Sequence, residues 1–126
     1  MCLAIGAGLW ASCGAAMPMV KASISNNQIM VPASLFEKSD FQIISPDRFA
    51  YNIALRKETD GSYTALLLRC THHDNQLITT GNGFRCTLHG SQFDQEGRVT
   101  NGPAERPLKK YPTQLNNNNQ IIIQLT

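Results

Sequence analysis

The chain has no run of Lys and Arg, and its first twenty residues carry no charged side chain at all. Without a basic stripe, and with a net charge of only +2, it lacks the electrostatic footprint of a nucleic-acid-binding domain. Nowhere do apolar residues recur at helical spacing over a stretch long enough for a substantial helix. That excludes a helical bundle. Nor is there a clean span of roughly twenty consecutive apolar residues, the length that crosses a bilayer as a helix. What remains is 126 residues of short apolar and mixed segments between turn signals, enough for one domain with a sizeable core.

The opening stretch MCLAIGAGLWASCGAAMPMV holds an apolar run about as long as the hydrophobic region of a secretory signal. The basic segment that should precede it is missing, since the first Lys is Lys21 and the first Arg is Arg48. The expectation is an upstream basic segment outside this sequence, with residues 1–21 the remnant of a signal or of a membrane or lipid anchor. The protein is then exported, in the periplasm or facing it. Ala11-Ser12-Cys13-Gly14 also resembles the end of a lipoprotein signal, where the Cys becomes the lipid-bearing N-terminus. Trp10 stands where such signals usually have Leu, so lipid tether and secretory or membrane-anchor remnant both stay open.

From residue 22 onward the pattern is short strands. Segments 22–25 and 28–31 flank Asn26-Asn27, a hairpin turn, and 32–36 form a short helical turn or loop. Segment 41–45 reads as a strand stopped at Ser45-Pro46-Asp47. Segments 49–57 and 63–70 are joined through Asp60-Gly61, the clearest hairpin in the chain. Asn116-Asn117-Asn118-Asn119 reads as a hairpin loop between 111–115 and 120–125, because Asn tolerates left-handed backbone angles. Ile121-Ile122-Ile123 lacks polar alternation, which predicts a last strand buried on both faces. Phe49, Tyr51, Tyr63 and Phe84 are read as core residues. The fold class is all-β, a β-sandwich or small open barrel.

Chemistry concentrates in residues 69–108, where two short modules repeat one theme: Arg69-Cys70-Thr71-His72, then Arg85-Cys86-Thr87-Leu88-His89. Each pairs a soft thiolate with a borderline imidazole, and two Cys with two His can hold a metal centre. A zinc finger keeps its two Cys together ahead of its two His. Here each pair is mixed, C-x-H and then C-x2-H. The second module runs on through His89-Gly90-Ser91-Gln92-Phe93-Asp94 to Gly97, Val99, Gly102-Pro103-Ala104 and Pro107-Leu108. Both modules, with that tail in register, resemble the Rieske family, whose [2Fe–2S] cluster has two Cys on one iron and two His on the other.

The resemblance implies one Rieske [2Fe–2S] cluster per chain, with Cys70 and Cys86 on the inner iron and His72 and His89 on the outer. It implies a domain over 22–126 whose cluster-binding subdomain, about 69–108, consists of short strands and loops, with the two modules meeting at one tip. Gly90, Gly97 and Gly102 are expected to serve turns or close backbone approach, with amides aimed at the sulfurs, and Pro103 to belong to the loop that covers the cluster. Arg69 and Arg85, each before a Cys, are read as solvated strand residues in preference to potential-raising charges. His73 is read as structural or solvent-exposed.

With Cys70 and Cys86 claimed by the cluster, only Cys2 and Cys13 remain, and no disulfide pattern indicates the compartment. Two neutral imidazoles in place of two thiolates make the cluster easier to reduce, and Rieske potentials span about −150 to +300 mV against about −400 mV for plant-type ferredoxins. Loss of ring protons on oxidation makes the midpoint pH-dependent. By resemblance, high-potential members have a Ser hydroxyl on a bridging sulfide, a Tyr hydroxyl on a Cys sulfur and a disulfide bracing the loops. Ser91 matches the first, whereas Phe93 lacks the hydroxyl and Asn75 and Leu88 stand at the disulfide positions.

These departures predict a small one-electron carrier of low-to-intermediate potential, an electron-transfer protein and not a catalyst by itself. The alternative is the Rieske subunit of a membrane or periplasmic multi-subunit oxidoreductase, cytochrome bc-like or oxidase. Redox partner proteins or a membrane electron-transfer complex, and no nucleic acid, are the implied partners. An oxygenase would need a further two-His-one-carboxylate iron site, and only His73 is left for it. A structural zinc site is the competing use of the four ligands, told apart by colour and by electron paramagnetic resonance (EPR).

Overall fold

The computed structural model describes residues 18–126. The lipid candidate Cys13 and the rest of residues 1–17, to which most of the signal or anchor reading applies, lie outside the described residues. The chain forms β1 (Met19–Ala22), β2 (Ile24–Ser25), β3 (Gln28–Pro32), a 3-10 turn (Ala33–Phe36), β4 (Phe41–Pro46), β5 (Ile53–Lys57) and β6 (Tyr63–Leu67). There follow β7 (Ile78–Thr80), β8 (Gly83–Arg85), β9 (Gln92–Asp94), β10 (Val99–Asn101), β11 (Lys110–Tyr111), β12 (Thr113–Leu115) and β13 (Gln120–Gln124). The all-β class holds.

Three sheets account for these strands: β1-β4-β5-β6-β11, β12-β13-β3-β2 and β10-β9-β8-β7. The turn chemistry read from the sequence sets the local connections. Asn26 and Asn27 both take left-handed backbone angles (φ 52° and 61°) between β2 and β3, as a two-residue hairpin requires. In the four-Asn loop, Asn116 Oδ1 accepts the amides of Asn118 and Gln120, each at 2.9 Å, and Asn119 is left-handed at φ 60°. The side chain thus closes the loop that joins β12 to β13.

The middle sheet is covered on both sides. Ile44, Ile53, Leu55, Ala65 and Leu67 point into one core with Ile29, Val31, Ile121 and Ile123 of the β12-β13-β3-β2 sheet. Their sequence neighbours Ile43, Ala54, Leu66 and Leu68 point the other way, into a second core with Leu77, Phe84, Phe93 and Leu108. Side chains alternate along a strand, so a sheet covered on both faces needs continuous apolar runs. Ile53-Ala54-Leu55 and Ala65-Leu66-Leu67-Leu68 are those runs. Full burial of each Ile or Leu contributes roughly 1.5–3 kcal/mol.

The expectation of two-faced burial for β13 is corrected accordingly. Ile121 and Ile123 are fully buried, but Ile122 is only partly so, and its cross-strand neighbour Met30 is exposed. The outer face of this sheet is open, so β13 alternates. A second difference concerns the apolar N-terminal stretch, whose last residues pair in parallel with β4, from Met19 opposite Ile43 to Ala22 opposite Pro46. Val20 and Ala22 pack on the first core while Met19 and Lys21 face outward. The domain's first strand therefore starts inside the segment read as tail.

Candidate metal centre

The second core is where the cysteines sit. Cys70 and Cys86 are 0% and 1% exposed, packed with Leu68, Leu77, Phe84, Phe93 and Ala104, and both are free thiols. The histidines of the same modules are exposed. The His72 and His89 rings meet edge to face with centroids 5.4 Å apart. Residues two or three apart in sequence thus divide between core and surface, with the two sulfurs inside and the two imidazoles outside.

The first module is a closed loop. Leu77 N–H donates to Leu68 C=O at 3.0 Å, and Cys70 N–H to Asn75 C=O at 2.9 Å. Arg69 pairs with Asp74 across the loop mouth at 2.9 Å. This pairing neutralises Arg69, and Arg85 is exposed on β8, in keeping with solvated positions for both. Thr71 Oγ1 donates to Arg106 C=O at 2.7 Å, and the Arg106 guanidinium to Thr71 C=O at 3.3 Å. These bonds fasten the loop to the segment before β11.

The second module is a tight turn. Gly90 N–H returns to Cys86 C=O at 3.1 Å, and Cys86 N–H donates to Ser91 C=O at 2.8 Å. Gly90 sits at φ 81°, a left-handed angle that glycine adopts without steric cost. The turn brings the N–H groups of Leu88 and His89 to the Cys86 sulfur, joined by the Asn75 side-chain amide and the Cys70 thiol. Burial pushes the Cys86 thiol up, but these hydrogen bonds outweigh it and bring it below its ordinary range. Gly102 lies outside the left-handed region, and a Cβ there would meet only backbone atoms of Ala104 at 3.9 and 4.0 Å, so neither a left-handed turn nor close approach requires glycine there.

The tail is built around Ser91, the one buried polar side chain among the described residues. Its hydroxyl oxygen accepts Ala104 N–H at 3.0 Å, which holds the exposed Pro103 loop against the second module. Phe93 is buried opposite Phe84 in the β8–β9 pair. Asp94 closes the β9–β10 turn through the amides of Glu96 and Arg98, both at 2.9 Å, and the Arg98 guanidinium at 3.0 Å. Burial raises the Asp94 carboxyl, but the Arg98 amide, the Arg98 side chain and the Glu96 amide win and hold it below its usual value.

One contact near the sulfurs escaped sequence reasoning, that of Asn75, while His73 is exposed as read. Its ring lies 5.7 Å from His89, almost as near as that of His72, so ring distance does not separate the two. Asn75, read only as a missing Cys, reaches the Cys86 sulfur with its side chain. Its place in a short loop closed by its own neighbours was the available signal.

Residues 23–112 match the family model of the Rieske [2Fe-2S] domain. The chain belongs to the Rieske family. Its cofactor is a Rieske [2Fe–2S] cluster, and it transfers electrons through that cluster. A stretch of 56 residues is 39% identical to the ubiquinol-cytochrome c reductase iron-sulfur subunit of Rickettsia typhi, covering 32% of each chain. The match thus spans about a third of that relative's length. The fold is shared with the cyanobacterial plasma membrane Rieske protein of Synechocystis PCC 6803, with a TM-score of 0.52, 24% identity, and 78% of this chain and 86% of that one covered. It is also shared with the ferredoxin of carbazole 1,9a-dioxygenase from Nocardioides aromaticivorans, with a TM-score of 0.51, 17% identity and coverage of 77% and 95%.

The Rieske donor set fits the residues present. Among the described residues no three His, Cys, Asp or Glu side chains converge as a single metal ion requires. The donors fall instead into a buried sulfur pair and an exposed imidazole pair, which suits a two-iron cluster. The Ser91 hydroxyl adds a buried O–H that, among the described residues, donates to no protein acceptor, since its one bond is accepted from Ala104.

Proposed function

We propose that Cys70 and Cys86 hold the inner iron and His72 and His89 the outer, with Gly90, Ser91, Phe93 and Pro103 shaping their surroundings. The observation that carries this assignment is the opposite exposure of the two ligand types within each module. When bound, the cluster supplies a reversible one-electron oxidation. The chain does the rest: Leu68, Leu77, Phe84 and Phe93 keep water from the sulfurs, and backbone amides steady the Cys86 thiolate. His72 and His89 offer exposed ring edges where an electron passes to a partner and a ring N–H meets solvent.

The protein works as a small exported carrier of low-to-intermediate potential, its domain covering 22–126 and its first residues serving as signal or tether. Supporting the potential class, Phe93 has no hydroxyl and Leu88 and Asn75 cannot form a disulfide. Among the described residues no helix is long and apolar enough to cross a membrane. EPR of the reduced holo-protein and a redox titration test the proposal. Cys70→Ser, Cys86→Ser, His72→Ala and His89→Ala are each expected to abolish the wild-type signal, whereas His73→Ala keeps it. Loss of the signal in His73→Ala with retention in His72→Ala would reverse the histidine assignment. The midpoint is expected below the upper end of the family's range of about −150 to +300 mV.

A second reading, an iron–sulfur subunit of a multi-subunit membrane oxidoreductase, is favoured by the 39% identity to the Rickettsia subunit. A midpoint near the top of the range, with co-purification of a large membrane partner, decides for it.

A further inference from the structure

Asn75 ties the two modules together. Its backbone C=O accepts the N–H of Cys70 at 2.9 Å, and its side-chain Nδ2 lies 3.6 Å from the sulfur of Cys86, within reach of an N–H···S hydrogen bond. The amide makes one further bond. Nδ2 also donates to the C=O of Gln76 at 3.2 Å. Gln76 in turn accepts the Asn52 N–H on its Oε1 at 3.0 Å and bridges to Arg69. The loop that carries Asn75 is therefore anchored to the central sheet, and its amide faces the sulfur.

We propose that the Asn75 side-chain amide is a potential-setting residue, which raises the midpoint by donating a hydrogen bond to the Cys86 sulfur. The inference rests on the assignment of Cys86 as a ligand. The reduced form carries one more negative charge, shared with the sulfurs. A donor N–H stabilises that form more than the oxidised one. Asn75 thus links the loops without a covalent bond and supplies a sulfur-directed donor on a chain where Phe93 offers none. It is a positioning residue with an electronic effect, not a ligand.

The experiment is a redox titration of full-length holo-protein as wild type, Asn75→Ala, Asn75→Asp and Asn75→Gln, with EPR of each reduced form. All four are expected to keep the same type of EPR signal, because the ligands are unchanged. Asn75→Ala is expected to shift the oxidised-to-reduced ratio at fixed potential about tenfold toward oxidised, a fall in midpoint of about 59 mV for one electron. Asn75→Asp is expected to fall further, since a near-isosteric carboxylate replaces a donor with a negative charge. Asn75→Gln, which keeps an amide, is expected to lie between wild type and Asn75→Ala.

Equal midpoints for wild type and Asn75→Ala, with unchanged EPR, overturn the proposal. Should Asn75→Ala fail to assemble, the pair Asn75→Gln and Asn75→Asp decides: equal midpoints there overturn it, and a lower value for Asp supports it. Absence of any Rieske-type signal in the wild type would instead overturn the ligand assignment, which separates the two failures.

Discussion

Replacing Ser91 by Ala should loosen the Pro103 loop without unfolding the domain. The Ser91 oxygen is the acceptor for Ala104 N–H at 3.0 Å, and both residues are buried, at 0% and 4% exposure. Ser91→Ala removes the acceptor but not the donor, and a buried N–H left unpaired costs about 1–3 kcal/mol. The main-chain bond from Cys86 N–H to Ser91 C=O persists, so the turn that presents His89 should survive. The cost falls on the segment 102–106, whose amide exchange should accelerate on the order of ten- to a hundredfold at Ala104. Hydrogen exchange read by mass spectrometry on a fragment spanning 102–106 measures this, with β13 as the internal reference. Unchanged exchange at Ala104 would refute the hydrogen-bond argument. Equal acceleration in β13 would show global destabilisation instead.

Three further outcomes follow from the geometry. A Cβ on Gly83 would lie 2.0 Å from the backbone oxygen of Phe93, so Gly83→Ala must break the β8–β9 pairing; soluble holo-protein with normal cluster content would contradict this. Arg56 ties the β5–β6 hairpin to the β9–β10 turn, with its guanidinium on Glu58 at 3.2 Å, on Gln95 at 3.3 Å and on Glu96. Arg56→Ala should cost about 1–3 kcal/mol by denaturation and should speed exchange in the β9–β10 turn. Asp94→Asn should cost about 1–2 kcal/mol at neutral pH by loss of charge-assisted bonds. Because the folded-state carboxyl is held low, its contribution is present above the ordinary Asp value of about 3.9 and fades as pH falls through the depressed one. The gap between wild type and Asp94→Asn should narrow in acid; a gap constant with pH would argue against the Arg98 pairing.

The turns were legible because they depend on few neighbours: Asn26-Asn27 and the four-Asn loop specify their own backbone angles. Two-faced burial was misassigned, because apolar continuity in Ile121-Ile122-Ile123 does not say whether another sheet covers the outer face. The strand at Met19 was hidden because an apolar stretch looks alike as tail or as strand until β4 is placed beside it.

The sequence by itself determined the donor types, their order and their spacing, because a cluster's preference for thiolate and imidazole acts through residue identity. It also determined the all-β class, through turn chemistry and the lack of helical periodicity. Only the tertiary structure decided that the middle sheet is buried twice, that the thiols lie in its second core with the imidazoles outside, and that Asn75 reaches Cys86. Those facts depend on contacts between segments whose distance in space has no counterpart in local pattern. The hydrogen bond to the sulfur depends on the anchoring of the first loop to the central sheet, where Asn52 N–H reaches the Gln76 side chain and Arg69 bridges to Gln76.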